Sequence, residues 1–160
     1  MDQTAEDWTK VLATNLTGTH LVTQQAVKLM QQQELVNESD EISPHWVRGR
    51  ITYITSTNGI DSYGSYTAHY DASKAAMNNM VRNLGEELHK KYQIILNGIA
   101  PGWIDTDMNL TLPPEERVSE TAKIWSGRFA TPRELAINIA ASLLLPYRSG
   151  RVEMIDGGYR

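Results

Sequence analysis

Residues 66–79 read YTAHYDASKAAMNN and place Tyr70 and Lys74 four residues apart at the predicted start of a helix. The segment before them, GRITYITS, is rich in β-branched and aromatic residues and predicts a strand at about 50–55, just ahead of Ser56. The segment after the helix, IILNGIA, is apolar without alternation, which is typical of a strand buried on both faces. This strand–helix–strand order predicts two parallel strands joined by a crossover helix over about 69–91.

Further elements extend this unit in both directions. Thr4 with Asp7 resembles a capping box, and the apolar spacing after it predicts a helix over about 5–32. Pro113-Pro114 predicts a short helix over about 114–125. The capping box TPRE predicts a helix over 132–145, and RVEMID predicts the last strand, closed by Gly157-Gly158.

The two polar segments at 33–49 and 57–68 are predicted to be loops. The order is therefore helix, strand, helix, strand, two helices and strand. It predicts one α/β domain over 1–160, with a parallel sheet of about three strands covered on both faces. On the helix at 69–91 we expect one buried face made of Ala72, Ala76, Met80, Leu84 and Leu88.

Composition excludes several classes of function. The chain is 41% hydrophobic and 21% charged with a net charge of −4, and its charges are interspersed, which argues against nucleic-acid or membrane-surface binding. It has no cysteine, which excludes disulfides and thiolate sites. The four histidines show no ligand spacing, so we expect surface or loop positions and no metal: His20, His45, His69 and His89. No apolar run reaches the roughly 18 residues of a membrane span and no signal peptide precedes Asp2, so we expect a cytoplasmic protein.

The Tyr70 and Lys74 pair has a chemical meaning, because residues four apart share one face of a helix. An ammonium beside a phenol favours the phenolate, so a tyrosine with a pKa ordinarily near 10 can exchange a proton with an alcohol or carbonyl closer to neutral pH. A serine hydroxyl at the end of the preceding strand, Ser56, could hold the same substrate oxygen. The pair alone is weak, since chance places such a pair in about one chain in four of this composition.

A wider pattern is more specific. Read in order, it comprises Asn15 in ATNLTGTHLVTQQAV, Ser56 in GRITYITSTNG, Tyr70 and Lys74 in YDASKAAMNNMVRNLGEEL, then NGIAPGWIDTDM and IDGG. The order, approximate spacing and context of these segments resemble the short-chain dehydrogenase/reductase family over essentially the whole chain. The resemblance implies a doubly wound, Rossmann-like fold and hydride transfer between NAD or NADP and a small carbonyl or alcohol substrate.

The resemblance also implies roles for individual residues. Tyr70 is similar to the family's acid/base, and Lys74 to the residue that lowers its pKa and reaches the nicotinamide ribose. Ser56 resembles the anchor of the substrate oxygen. Asn15 resembles the asparagine that orders a proton-relay water, although without the family match it is an ordinary helix-surface residue.

The segment after the second strand resembles the turn that holds the nicotinamide carboxamide, although by itself it is a strand-ending loop: Pro101, Gly102, Ile104 and Thr106. Two departures from the family pattern stand out. The segment 33–49 is longer than usual, and Ser56 precedes Tyr70 by 14 residues, one more than is common. The second departure leaves Thr57 as a less favoured alternative anchor.

Segment 103–128 occupies the position of the family's substrate loop. It and the residue just beyond it carry large apolar side chains, which either bind an apolar substrate or pack the loop onto the domain: Trp103, Met108, Leu110, Trp125 and Phe129. Acyl-thioester reductase, sugar dehydrogenase and simple ketone reductase activities all fit this segment.

The family's glycine-rich phosphate loop has no counterpart, because the chain contains neither Gly-x-x-x-Gly-x-Gly nor Gly-x-Gly-x-x-Gly. The sequence therefore resembles the catalytic half of a Rossmann protein, truncated at the N-terminus, and we expect a free apolar edge on strand 50–55. Three interpretations follow. The chain is a fragment of a longer enzyme, a truncated product completed by a partner, or an inactive homologue kept as an interaction or dimerisation module.

Helices 5–32 and 69–91 resemble those with which the family builds a dimer, which predicts a homo-oligomer. Met77, Met80 and Val81 would supply an interaction surface on the second helix. The presence of Asn15, Ser56, Tyr70 and Lys74 together favours an enzyme, since an interaction module has no physical need for all four.

Overall fold

The structure is a computed structural model that describes residues 3–37, 45–64, 66–145 and 147–160. The α-helices are α1 (Ala5–Leu12), α2 (Thr19–Met30), α3 (Ala68–Tyr92), α4 (Asp107–Leu110), α5 (Pro114–Ala122) and α6 (Pro132–Leu144). The strands are β1 (Val36–Asn37), β2 (Trp46–Val47), β3 (Gly49–Ile54), β4 (Ile94–Pro101) and β5 (Val152–Ile155). Both predicted capping boxes, Thr4 with Asp7 and Thr131 with Glu134, are confirmed.

Strands β3, β4 and β5 form a parallel sheet in that order. Every residue of β4 is buried, as its mostly apolar sequence without alternation predicts. The parallel arrangement brings the carboxyl ends of the three strands to one edge of the sheet. Ser56, Gly102 and Asp156 follow those ends, so the predicted site residues begin there.

Helices cover both faces of the sheet. The Tyr53 hydroxyl lies 2.6 Å from the Thr23 hydroxyl on α2, whereas the Thr52 hydroxyl lies 3.2 Å from the Ser142 hydroxyl on α6. Because neighbouring residues of a strand point to opposite faces, α2 and α6 lie on opposite sides of β3. The predicted Rossmann-like α/β architecture, with a parallel sheet of three strands, is confirmed.

The buried face of α3 agrees with the predicted one only in part. Leu88 is buried as predicted, and the predicted Met80 and Leu84 pack against the main core cluster. Ala72, by contrast, is exposed, and the cluster is completed by Met77 and Val81, which were not predicted to belong to it. A strict four-residue spacing turns about 40° per step, so the predicted stripe from Ala72 to Leu88 winds about 160° around the helix. Since Met77 and Val81 belong to the core of this chain, the prediction that they supply an interaction surface is wrong.

The helix predicted over 5–32 is not regular throughout. A π-helical turn, Ala13–Gly18, separates α1 from α2. Threonine hydroxyls compete for backbone carbonyls there: Thr19 donates to the carbonyl of Asn15 at 2.6 Å, and Thr23 donates to that of Thr19 at 2.8 Å. Such back-bonding disturbs a helix, and hydrophobic periodicity does not reveal it.

The loop predicted at 33–49 contains a short antiparallel pair, with Val36 opposite Val47 and Asn37 opposite Trp46. Strands of two residues are too short to show alternation, which is why the sequence gives no sign of them. Residues 38–44 of this predicted loop lie outside the described residues.

Histidine rings connect this hairpin to α3. His45 and His89 are stacked, with ring centres 5.5 Å apart, and neither residue is fully exposed. Burial lowers the pKa of His89, and the charge of His45 lowers it further. The prediction that both are simple surface or loop residues is therefore incomplete.

The segment between β4 and α6 also differs in detail. It contains α4, which the sequence does not predict, and α5 ends at Ala122 rather than near 125. The chain leaves the helix there because Ile124 pairs with Tyr159 in an antiparallel bridge. None of the helices in the described ranges combines the length and apolar character needed to cross a lipid bilayer.

Candidate active site

Tyr70 and Lys74 lie on the first turns of α3, on the side that faces the end of β3. The Lys74 ammonium lies 5.6 Å from the centre of the Tyr70 ring and donates to the carbonyl of Ile54 at 2.9 Å. Ile54 is the last residue of β3, so this bond fixes the lysine against the carboxyl end of the sheet. Burial lowers the pKa of Lys74. The Tyr70 hydroxyl makes no hydrogen bond to another described residue, which leaves it available to a ligand.

Ser56 is buried and lies two residues beyond β3. Its hydroxyl oxygen accepts a hydrogen bond from the backbone amide of Asn58 at 3.2 Å. The alternative anchor, Thr57, donates its hydroxyl to the carbonyl of Pro101 at 3.4 Å. Thr57 is thus engaged with β4, and Ser56 retains a hydroxyl proton that can reach a substrate oxygen.

Asn15 lies within the π-helical turn and contacts α3 directly. Its side-chain amide donates to the Ser73 hydroxyl at 3.0 Å, and that hydroxyl donates to the carbonyl of Tyr70 at 2.6 Å. Ser73 is fully buried. The sequence does not identify Ser73 as a link, although it occupies the position before Lys74. Asn15 is thus connected through Ser73 to the helix turn that carries Tyr70 and Lys74.

The turn after β4 holds the remaining predicted residues. The amide of Gly102 donates to the carbonyl of Ile155 at 3.0 Å, and a Cβ at Gly102 would lie 2.9 Å from that of Asp156. Only glycine fits this close approach between β4 and β5. Ile104 is buried and pairs with Ala130, and Thr106 precedes α4 without using its side chain as a cap.

A groove of about 550 Å³ runs between β3 and the helical residues of the π-helical turn and α2. Asn15 and Lys74 lie on its wall, as do Ile51 and Ile54 of β3. β3 pairs with β4 along one edge, and no described strand pairs with its other edge. The groove therefore follows β3 and reaches the site at Asn15 and Lys74.

The predicted substrate loop divides into two groups of side chains. Trp103 and Phe129 stack with ring centres 5.1 Å apart, and the Trp103 indole donates to the Glu120 carboxylate at 3.2 Å. Met108 and Trp125 are 84% and 75% exposed. Trp103 and Phe129 thus pack the loop, whereas the exposed Met108 and Trp125 leave substrate binding a prediction.

Asp71, which the sequence analysis does not single out, is a centre of contacts. Its carboxylate accepts hydrogen bonds from Asn58, Gly64 and Thr67 at 2.9 to 3.3 Å. An acid in the first turn of a helix is ordinarily explained by the helix dipole, so its loop contacts leave no trace in the sequence. Within the described ranges, no group of three or more histidine or carboxylate side chains could hold a metal ion.

Comparison with known proteins agrees with this arrangement. Residues 1–160 match the family model described as enoyl-(acyl carrier protein) reductase. The chain is 36% identical over 162 residues to the 3-oxoacyl-[acyl-carrier-protein] reductase MabA of Mycobacterium tuberculosis, covering 99% of this chain and 59% of that protein. The chain thus spans little more than half the length of the curated relatives it matches, 56% and 59% in two of them.

Solved structures are similar as well. The 3-hydroxyacyl-CoA dehydrogenase type-2 of Mycobacterium avium matches with a TM-score of 0.85 and 25% identity, over 98% of this chain and 58% of that one. A 3-oxoacyl-[acyl-carrier protein] reductase of Brucella melitensis with bound NAD matches with a TM-score of 0.78 and 26% identity, over 99% and 53% of the two chains.

Proposed function

Because this chain belongs to the short-chain dehydrogenase/reductase family, we propose that the protein containing it is an NAD(P)-dependent oxidoreductase. It would transfer a hydride between the nicotinamide and a carbonyl or alcohol. The observation that supports this proposal is the position of Lys74, which contacts the end of β3 and lies 5.6 Å from the Tyr70 ring centre. An interaction module has no physical need for a half-buried ammonium held in that position.

In this proposal Tyr70 is the acid/base and exchanges a proton with the substrate oxygen. The nearby Lys74 ammonium stabilises negative charge on the phenolate oxygen. Ser56 donates its hydroxyl to the same substrate oxygen, since the backbone amide of Asn58 occupies only one acceptor site of the serine. Asn15 orders water beside Lys74 and keeps α3 in place through Ser73.

The residues at the carboxyl ends of β3 and β4 fit the nicotinamide end of the cofactor. Lys74 and Tyr70 would hold the ribose hydroxyls. The turn of Pro101, Gly102, Ile104 and Thr106 would hold the carboxamide. Gly102 packs this turn against Asp156 at the end of β5, and Thr106 has a hydroxyl free of a capping bond. When bound, the cofactor supplies or accepts the hydride.

For the substrate we propose a 3-oxoacyl thioester. Relatives with this printed activity are 34% and 36% identical to the chain, and exposed Met108 and Trp125 can contact an apolar acyl chain. The alternative is an inactive homologue that acts as an interaction module. Exposed Leu21 and Leu29 on α2 could support the predicted homo-oligomer in either case.

Replacing Tyr70 by Phe tests the proposal. In the protein that contains this chain, turnover of acetoacetyl-coenzyme A with NADH or NADPH should fall by at least about a hundredfold, because general acid–base catalysis contributes roughly 10²–10⁴-fold. Absorbance of the reduced nicotinamide measures the rate.

The matched control is Tyr63→Phe, which removes a phenolic hydroxyl from a fully surface-exposed ring in the loop before α3. The control should keep wild-type turnover. Retained turnover in Tyr70→Phe would contradict the role of Tyr70, and a wild-type protein that turns over no carbonyl substrate with either cofactor would support the interaction module.

A further inference from the structure

The Asp71 carboxylate fastens a loop to α3. It accepts the side-chain amide of Asn58 at 2.9 Å, the backbone amide of Gly64 at 3.3 Å and the Thr67 hydroxyl at 3.0 Å. The three donors are spread over ten residues, and among the described residues between them the structure shows no secondary structure longer than one turn of 3₁₀-helix. The backbone hydrogen bonds within this segment are short-range turns, such as those from the amides of Asp61 and Ser62 to the carbonyl of Thr57 at 3.2 Å. They hold each turn but not the segment against α3, and the Asp71 contacts supply that attachment.

The fastened loop is the one that joins Ser56 to Tyr70. Asn58 is held at both of its polar groups, because its backbone amide donates to the Ser56 hydroxyl and its side-chain amide donates to Asp71. Asp71 directly follows Tyr70 on α3. A continuous path of two hydrogen bonds therefore connects the Ser56 hydroxyl to the helix turn that carries the Tyr70 side chain.

A second contact holds the same loop further along α3. Gly59 lies so close to the helix that an added Cβ would be 2.5 Å from the carbonyl carbon of Lys74. The carbonyl of Gly59 accepts the side-chain amide of Asn78 at 3.0 Å. The loop thus lies along the turns of α3 that carry Tyr70 and Lys74. Gly59 packs the first part of the loop on the helix, and Asp71 also holds its later part, through Gly64 and Thr67.

We propose that Asp71 is a positioning residue that fixes the Ser56 hydroxyl relative to the Tyr70 hydroxyl by fastening the loop at 57–67 to α3. The proposal rests on the proposed function, since it assigns to Asp71 the alignment of the two groups that share the substrate oxygen. A carboxylate that only stabilised the helix N-terminus would need no donors beyond the N-cap residue Thr67. Among the described residues, however, Asn58 and Gly64 also donate to Asp71, and both lie in the loop ahead of that cap.

The test replaces Asp71 by Asn in the protein that contains this chain. The substitution keeps the size of the side chain but removes its charge and one acceptor, so hydrogen exchange at the Gly64 amide should accelerate by at least about tenfold. kcat should fall by roughly tenfold to a hundredfold, because a small misplacement of reacting groups has effects of that size. KM for the nicotinamide cofactor should stay unchanged.

Asp61→Asn is the matched control. Asp61 lies in the same loop and is exposed, and its carboxylate accepts only from the neighbouring Ser62 hydroxyl at 3.3 Å among the described residues. Asp61→Asn should leave hydrogen exchange at the Gly64 amide and kcat at their wild-type values. The proposal would be overturned if Asp71→Asn kept the wild-type exchange rate at the Gly64 amide, or if it changed KM and left kcat unchanged.

Thr67 provides an independent variant if Asp71→Asn does not fold. Thr67→Val should accelerate exchange at the Gly64 amide and lower kcat, as Asp71→Asn does. Thr67→Ser retains the hydroxyl and should keep both quantities at their wild-type values. Equal effects of Val and Ser would overturn the proposal. Exchange does not require turnover, so a wild-type protein without turnover would refute the proposed function while leaving the measurement on the loop intact.

Discussion

Gly59 is the residue at which the loop before α3 comes closest to the helix. A methyl group there would lie 2.5 Å from the carbonyl carbon of Lys74 and 2.6 Å from the backbone nitrogen of Ala75. Backbone atoms cannot move aside as a flexible side chain can, so Gly59→Ala should cost about 1–3 kcal/mol of unfolding free energy. Urea denaturation measures this loss.

Gly18→Ala is the control, because its added methyl would meet only the carbonyl oxygen of Ala13 at 3.3 Å. Gly18 closes the π-helical turn, where alanine has a higher helix propensity than glycine by about 1 kcal/mol. That gain offsets the cost of the 3.3 Å contact, so Gly18→Ala should be about as stable as wild type. Wild-type stability in Gly59→Ala would show that the loop does not pack on α3 as described.

Single residues of the site differ in how far the sequence could predict them. Tyr70 and Lys74 belong to one helix, whose period fixes their separation, and the structure places the ammonium 5.6 Å from the tyrosine ring centre. Asp71 and Gly64 meet because of the conformation of an irregular loop, which no periodicity determines. The roles of Asn15, Ser56, Tyr70 and Lys74 stay predictions.

Among the elements, the contact between the β1–β2 hairpin and α3 is sensitive to pH. His45 and His89 are stacked, and burial, followed by the charge of His45, lowers the pKa of His89 below its usual 6.5. The unfolded chain therefore binds more protons than the folded chain in the range just below pH 6.5. Stability should be full above that pH and should fall as the pH drops toward the folded-state pKa of His89.

His89→Phe keeps a planar ring for stacking but cannot be protonated. Urea denaturation at pH 7.5 and 5.5 should show a smaller loss of stability on acidification in this variant than in wild type. His20→Phe is the control, since His20 makes no ring contact within the described ranges, and it should keep the wild-type pH dependence. Equal pH dependence in all three proteins would exclude the stacked pair as its source.

The elements also show why sequence patterns locate helices better than they orient them. The bounds of α3, Ala68–Tyr92, lie within a residue of the prediction, because a polar loop precedes the helix and an apolar strand follows it. Its buried face was mistaken in part because alanines at 72 and 76 fit an apolar stripe without being large enough to anchor it. Met77, Val81 and Leu88 are the residues that fill the space against β4 and α2.

For the whole molecule, the arrangement of site residues predicts which part of the cofactor the chain recognises. The carboxyl ends of β3 and β4 offer groups that suit the nicotinamide and its ribose, whereas the sequence contains no glycine-rich phosphate loop. The adenosine half of a dinucleotide should then add little affinity. Reduced nicotinamide mononucleotide, NADH and NADPH should bind the 160-residue chain within about tenfold of one another, a difference of about 1.4 kcal/mol.

Titration of the chain with each of the three compounds, monitored by nicotinamide fluorescence, measures this difference. Lys74→Met should weaken the binding of all three compounds equally, because it removes the ammonium near the ribose. NADH or NADPH binding more than about a hundredfold tighter than the mononucleotide would require about 2.7 kcal/mol from the adenosine half. Such a result would contradict the prediction and place a phosphate or adenine site within these residues. The groove beside β3, which Asn15 and Lys74 line, would then be the first surface to mutate.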